Sequence, residues 1–454
     1  MSALELAERA LREAGPDALA LVTRERSLLL RFAANRPTQA TEVDDLTVEL
    51  AVVRRGHVGR AETNATDDEA LAACARRAAA AADAAAAAGD GTFPGFAEPV
   101  GGSALAPAGA PFEAATGGAA LADMFEITAD AGLEAHGSWS AAQVERAVAR
   151  PGSGVAEVNG DAFMKVICMT PGRDDGRSGY ASQSAASAAT LEPRALAGRA
   201  ASKALGSFAR SRARAQLEAG EYPVVFEPDA MRSLIDLLAS TAFNGLAHAE
   251  GRGALAGRLG ESVAAPAINI SDSPVFPRTL PRGFDAEGTP KAPLPLIQDG
   301  VAHRVVHDIR SATLMGAAST GHALAPGGAP SGPHPTNLVL AGGGAADTAE
   351  LCAPVERGIY VTRLWYENVV RPKETLVTAV TRDGTFLIED GQITRPLRDL
   401  RLTDSVLSIL ASVQALTAGL ELSNEGEFYG RRFAYGVVSP ALRAGHVRFT
   451  GPAG

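Results

Sequence analysis

The sequence predicts an α+β protein in two parts, an N-terminal α+β domain over residues 1–220 and a β-rich domain over residues 221–454. Three observations carry this expectation. At 454 residues the chain is too long for one ordinary core. In the first half, strand-like runs give way to long alanine-rich helical stretches. In the second half, Asp-Gly pairs at 299–300, 383–384 and 390–391 separate short strand-like runs.

The elements follow in order. Ser2 and Glu5 read as a capping box that opens a helix to about Ala14, stopped by Gly15-Pro16. Residues 18–23 and 27–33 read as two strands, and 47–53 with 57–61 as a hairpin turned at Arg55-Gly56. Thr66 and Glu69 are expected to cap a long helix to about Ala88. Residues 89–112, rich in Gly, Pro and Ala, are expected to form a long loop, with helix resuming near Ala114. Residues 162–169 and 179–184 read as extended, and Glu192-Pro193 opens a helix expected to end near Glu218. Past residue 220, helix is expected over 229–242, and 374–397 reads as a three-strand meander around its two Asp-Gly turns. Residues 319–336 cannot form a regular element and are expected to be a functional or mobile loop.

Composition excludes several classes. A net charge of −10 argues against a nucleic-acid binder that relies on general phosphate attraction. No uncharged apolar run of about 20 residues is present, so no membrane span is expected. The N-terminus lacks a signal-peptide core, and Cys74, Cys168 and Cys352 fit neither a disulfide framework nor a metal motif. A reducing cytoplasm is the expected compartment.

Standard catalytic motifs are absent. There is no phosphate loop and no GxSxG elbow, and the AGGGAAD stretch at 341–347 lacks the third glycine of a dinucleotide fingerprint. His303 and His307 sit four apart, but on the strand expected there they would stand about 13 Å apart, too far to share a metal easily. The HAEGRG stretch at 248–253 has the wrong order for a zinc helix, and its glycines favour a loop. His322 and His334 flank the long loop and are open to a role with substrate.

A series of local patterns resembles the TldD/PmbA family along nearly the whole chain. The matching pieces are RFAANRPTQ (31–39), RRGHVGRAETN (54–64), GYASQS (179–184), GEYPVVFEPDAM (220–231), LGESV (259–263), FDAEGTP (284–290), the stretch 295–321, and TRDGTFLIEDGQITRP (381–396). Their order and spacing carry the resemblance. It implies a barrel-like C-terminal domain and, in TldD-type members, a zinc peptidase built on an HExxxH helix. Laid on this sequence, the motif puts Phe226 at its first histidine, Glu227 at its glutamate and Met231 at its second histidine. Phe offers no lone pair and a Met thioether suits Zn²⁺ poorly. Here FEPDAM reads as an ordinary helix start, with Phe226 and Met231 toward the core.

That departure resembles the TldE/PmbA branch. It implies a non-catalytic subunit with no cofactor of its own. The implied partner is a TldD-type HExxxH subunit that carries the zinc, and the implied substrate an extended peptide, unfolded or a natural-product precursor. Two alternatives remain open at this point. One is an enzyme with a different metal site drawn from His303, His307, His322 or His334; the other is a peptide or small-molecule binder that keeps the family cavity. The expected substrate or partner surface includes Trp365, Tyr366 and Arg371, because aromatic and arginine side chains anchor interfaces. On a strand Trp365 and Tyr366 would face opposite sides. His322 and the Arg382-Asp383 turn complete the set; ordinary core packing for the rings, and a solvated pair for Arg382-Asp383, are the competing readings.

Overall fold

The computed structural model describes residues 1–99, 114–173, 177–206, 209, 213–424 and 432–452. Its first sheet runs in the order β3-β2-β1-β4-β5-β6, all antiparallel. The strands are β1 (Ala18–Ala33), β2 (Arg36–Arg54), β3 (His57–Thr63), β4 (Glu134–Arg150), β5 (Ser153–Met169) and β6 (Ser178–Ala185). The helices α1 (Ala3–Ala10), α2 (Asp68–Ala86), α3 (Ala114–Asp130) and α4 (Pro193–Leu205) cover one face. Ala18, Ala20 and Val22 of β1 pack toward α1 and α2, while Leu19 and Leu21 pack on the other side against Phe284, Ala286, Ile309 and Ala323. Burial on both faces explains the unbroken apolar run ALALV.

Several expectations change here. Residues 18–33 form one long strand rather than two. Residues 36–46, to which no element was assigned, are strand, because β2 pairs with β1 from Arg36 to Val52. Helix α2 is capped by Asp67, whose side chain accepts from the Ala70 amide, not by Thr66. Helix α4 stops at Gly206, where a left-handed φ of 58° ends it thirteen residues in. Residues 89–99 carry no regular element, while 100–112 of the expected loop lie outside the described residues.

The C-terminal half builds two more sheets around α5 (Pro228–Thr241). Its elements before the long loop are β7 (Gly220–Phe226), α6 (Gly245–Ala249), β8 (Ile270–Asp272), β9 (Leu294–Gln298), β10 (Val301–Ala302) and α7 (Ile309–Met315). After the loop come β11 (Asn337–Leu340), α8 (Thr348–Cys352), β12 (Arg357–Val361), β13 (Leu364–Arg371), β14 (Leu376–Thr381), β15 (Thr385–Glu389), β16 (Gln392–Pro396) and β17 (Leu400–Ser405). The chain ends with α9 (Val406–Ala411), β18 (Val413–Leu416), β19 (Glu421–Ser423), β20 (Gly436–Ser439) and β21 (Leu442–Pro452). One sheet has the order β10-β9-β8-β11-β20-β19; the other runs β13-β14-β17-β21-β7-β12-β15-β16, with β18 beside β21. Both contribute to a single core with Met231, Leu234, Ile235 and Leu238 of α5. Neither sheet closes into a barrel among the described residues.

Asp390-Gly391 turns the hairpin β15-β16, as expected. Asp383-Gly384 does not make a hairpin: β14 pairs with β13 and β17, whereas β15 pairs with β12 and β16, so the expected meander is split across the sheet. The strand expected through His307 ends at Ala302.

Candidate functional site

The segment YPVVFEPDAM becomes β7 and the first turn of α5. β7 is held between β12 and β21, and the Glu227 amide continues that pairing by donating to the Val361 carbonyl. Pro228 supplies the fixed φ that a first helical turn accepts. Phe226 and Met231 are fully buried in the core. Each contributes about 1.5–3 kcal/mol of burial there, so these positions serve packing.

Glu227 makes no side-chain cap bond. It accepts a hydrogen bond of 2.7 Å from the Tyr360 hydroxyl at one oxygen, and the Lys203 ammonium lies 2.5 Å from the other. Burial, and then the Glu227 charge, push the Tyr360 phenol well above its ordinary range. Lys203 also donates to the Tyr180 carbonyl at 3.0 Å. It reaches both because α4 lies directly on β6: a Cβ at Gly179 would stand 2.2 Å from the Ala200 carbonyl oxygen. Glu227 thus ties α4 of the N-terminal half to β12 of the C-terminal half, which is more than the ordinary helix start expected.

These groups line a cavity of about 610 Å³ whose walls include Lys203, Glu227, Asp229, Tyr360, Arg199 and Glu421. A second hollow of about 570 Å³ runs along residues 182–187 and shares Ser182, Arg199 and Glu421 with the first. Asp229 accepts from the Ser182 hydroxyl at 2.6 Å. Glu421 is exposed.

β6 forms one wall of the hollow and, among the described residues, is an edge strand. The Tyr180 amide donates outward to the Asp383 carbonyl, and the Tyr180 carbonyl accepts from Lys203. By the two-residue period of a strand, the backbone groups of Ser182 and Ser184 also point away from β5, into the hollow.

The residues expected at a substrate or partner surface are dispersed. Arg363 lies between the rings of Tyr180 and Trp365, 4.2 and 4.3 Å from their centroids, and pairs with Asp383 at 2.8 Å. Asp383 is therefore buried with Arg363 and Ser178, while Arg382 is exposed; a solvated Arg382-Asp383 pair is not what forms. Trp365 is half-buried and Tyr366 67% exposed. They do not take opposite faces: a left-handed φ of 52° at Tyr366 and a bulge bring the rings to 5.5 Å. Arg371 is exposed and pairs with Glu374.

The histidines do not converge. His303 is exposed, and His307 is buried with its Nδ1 3.1 Å from the Ser311 hydroxyl. His334 packs edge-on to Tyr435. His322 is interior rather than at a loop surface, its Nε2 3.1 Å from Asp272, which also pairs with Lys291 at 2.8 Å. Burial, then Lys291, lower the His322 pKa to about 4. Among the described residues no three His, Cys, Asp or Glu side chains could hold a metal ion together. Nor do the zinc-motif positions suit one: Phe226 has no donor, Met231 is a core thioether, and both Glu227 oxygens are engaged.

A family model described as the PmbA/TldA metallopeptidase C-terminal domain matches residues 219–451, which is 233 of the 454 residues. A second, PmbA/TldA metallopeptidase domain 1, matches residues 18–82. The chain belongs to the PmbA/TldD metallopeptidase family. It is similar over 203 residues, at 25% identity, to a metalloprotease of Methanothermobacter thermautotrophicus; the match covers 45% of this chain and 44% of that one. It is 29% identical over 202 residues to a metalloprotease TldD homolog of Haemophilus influenzae, covering 43% and 41%. The chain thus spans less than half the length of these curated relatives. TldE from Thermococcus kodakarensis has the same fold, with a TM-score of 0.82 at 19% identity over 96% of each chain. Within this family fold, Lys203, Tyr360, Arg199 and Glu421 are the site residues that sequence reasoning missed. The one pointer was GYASQS, which turned out to be the edge strand β6.

Proposed function

We propose that this chain is a TldE-type subunit without a catalytic zinc, which holds extended peptides for a TldD-type HExxxH partner. The observation that carries the reading is the state of the three motif positions, two packed into the core and the third engaged by Lys203 and Tyr360. Peptide hydrolysis needs an activated water and a stabilised oxyanion, and the partner's zinc would supply both. This chain's share is positioning, which is worth several kcal/mol of barrier when a flexible peptide must be held near a metal. The outward edge of β6 beside two joined hollows supports that role, because an extended peptide can pair with a free strand edge. Substrates in this reading are unfolded peptides, natural-product precursors included. The compartment is reducing, the cytoplasm, in keeping with three buried free cysteines.

The test uses each subunit alone and then both, on one unstructured peptide. The expected outcome is cleavage by the pair, abolished by a chelator, and none by this chain. Chelator-insensitive cleavage by this chain alone would overturn the reading.

A further inference from the structure

The cavity of about 610 Å³ has a hydrophobic core behind it, and its lining surface is mostly apolar. Cys352 and Tyr360 on its wall are buried members of a cluster with Val225, Leu351 and Phe386, and Ile393, also on the wall, packs against that cluster. Ala181, Pro228 and Ala349 extend the apolar lining. The polar groups between them are engaged with one another: Lys203 and the Tyr360 hydroxyl with Glu227, and the Ser182 hydroxyl with Asp229. Arg199 and Glu421 are exposed and stand where this cavity meets the second hollow, since both residues line each of the two. Ser182 lines both as well, and its backbone groups point outward from the β6 edge. The cavity is therefore an apolar side space that opens off the strand edge at Ser182.

From this we infer that the cavity is a subsite for a large apolar side chain, and that peptides pairing with the β6 edge are selected for an aromatic or long aliphatic residue near Ser182, with Tyr360, Ile393 and Ala349 determining the choice. The inference rests on the peptide-holding reading above. The occupant is the peptide's own side chain, because cavity and strand edge are continuous at Ser182 and the side chains of an extended peptide project to alternate sides. An apolar side chain there leaves water for the surface of the core cluster, gains free energy in proportion to the area it buries, and breaks none of the polar pairs. A charged side chain would give up its water where Lys203 and Glu227 already neutralise each other, which is unfavourable. A space of this size lies within the range that takes up small organic ligands, and so admits the largest apolar side chains.

The experiment measures binding of two labelled, unstructured peptides by fluorescence anisotropy, to the full chain alone and with its TldD-type partner. The peptides are identical except for one central residue, Phe in one and Ala in the other. The Phe peptide is expected to bind about tenfold more tightly, as burial of an aromatic side chain allows. The preference is expected to hold as salt is raised, since no charge carries it. Ala349→Trp, at an exposed position on the wall, places an indole in the space, and the preference is expected to vanish with the thermal melt retained. Ile393→Asn makes the wall polar without filling it and is expected to weaken the preference several-fold. Equal affinity of the two peptides for the unaltered chain overturns the subsite and leaves the peptide-holding reading standing. So does a Phe preference that survives intact in both variants, since the ring would then be bound elsewhere. Failure of both peptides to bind, even with the partner present, overturns both readings.

Discussion

Two lysine–carboxylate pairs organise this molecule, and they are built differently. Lys203 and Glu227 join the N-terminal half to the C-terminal half with side chains 10% and 16% exposed, on the wall of a cavity. Lys291 and Asp272 lie within the C-terminal half, 1% and 0% exposed, with His322 as a third member. The first pair still faces solvent and a space large enough for a ligand. The second is sealed, and around it buried acids fasten the long loop. Asp285 accepts from the Ala323 amide, Glu287 from the Gly327 amide, and Arg60 of β3 donates to the Gly328 carbonyl. Such a charge network offers nothing to bind; it holds residues 319–336 in one place.

The largest expected effect is on the sealed pair. Lys291→Met leaves Asp272 as a buried, uncompensated charge and should cost about 3–5 kcal/mol. Denaturant unfolding at pH 8 measures it; a loss under about 1 kcal/mol would mean the pair does not hold the region. The pH dependence sharpens this. In the native chain, the His322 pKa is lowered to about 4 from 6.5. The unfolded state then binds the proton more readily, so the His322 contribution is complete above pH 6.5 and is lost as pH falls toward 4. Without Lys291, the imidazolium becomes the cation nearest Asp272 and its folded pKa rises. The destabilisation caused by Lys291→Met should therefore shrink between pH 8 and pH 5. A penalty that stays constant across that range contradicts the proposed role of His322.

How much of this the sequence showed depends on the range of the interaction. The Ser2-Glu5 capping box and the Asp390-Gly391 hairpin are local and were readable. Thr66 and Asp67 both suit a helix start, and only the bond actually made separates them. Asp383-Gly384 looks like Asp390-Gly391, yet the strands it joins part to different neighbours, which no local signal records. The loop at 319–336 reads as functional or mobile because its sequence has no regular period; its anchors at Asp272, Asp285 and Glu287 lie some 35–50 residues earlier. That Phe226 and Met231 are residue types unsuited to zinc was legible. The partner of Glu227 was not, because Lys203 comes from another helix and reaches Glu227 through the close approach at Gly179.

That approach provides the intermediate test. In Gly179→Ala the added methyl meets backbone atoms of α4, so the helix must shift, at about 1–3 kcal/mol as for other overpacked contacts. The shift should also uncouple Lys203 from Glu227. A double-mutant cycle of Lys203→Met and Glu227→Gln is expected to give about 1–3 kcal/mol of coupling in the native background and markedly less with Gly179→Ala. Equal coupling in both would mean that β6 and α4 do not set the geometry of the pair. Comparison with the sealed pair matters here, since Gly179→Ala should leave the pH behaviour of His322 untouched.

The smallest effect on stability is expected at the bulged edge strand β13. Tyr366 is 67% exposed, and Arg371 pairs with Glu374 only at the surface, so Tyr366→Ala and Arg371→Ala should each cost under about 1 kcal/mol. Their effect on assembly is expected to be larger. A tyrosine held at a left-handed φ is strained, and strain persists where the surroundings enforce it. Its ring meets that of Trp365, which packs on Arg363, and Arg363 pairs with Asp383 and lies over Tyr180 of β6. The exposed ring is thus the outer end of a stack that runs back to the edge of the candidate groove. An exposed aromatic already packed against a neighbouring ring suits an interface anchor. Titrating a TldD-type subunit with Tyr366→Ala should weaken association at least several-fold, with the melting temperature unchanged. Unaltered affinity would remove this surface from the interface and leave Tyr366 as a strained surface residue without an assigned role.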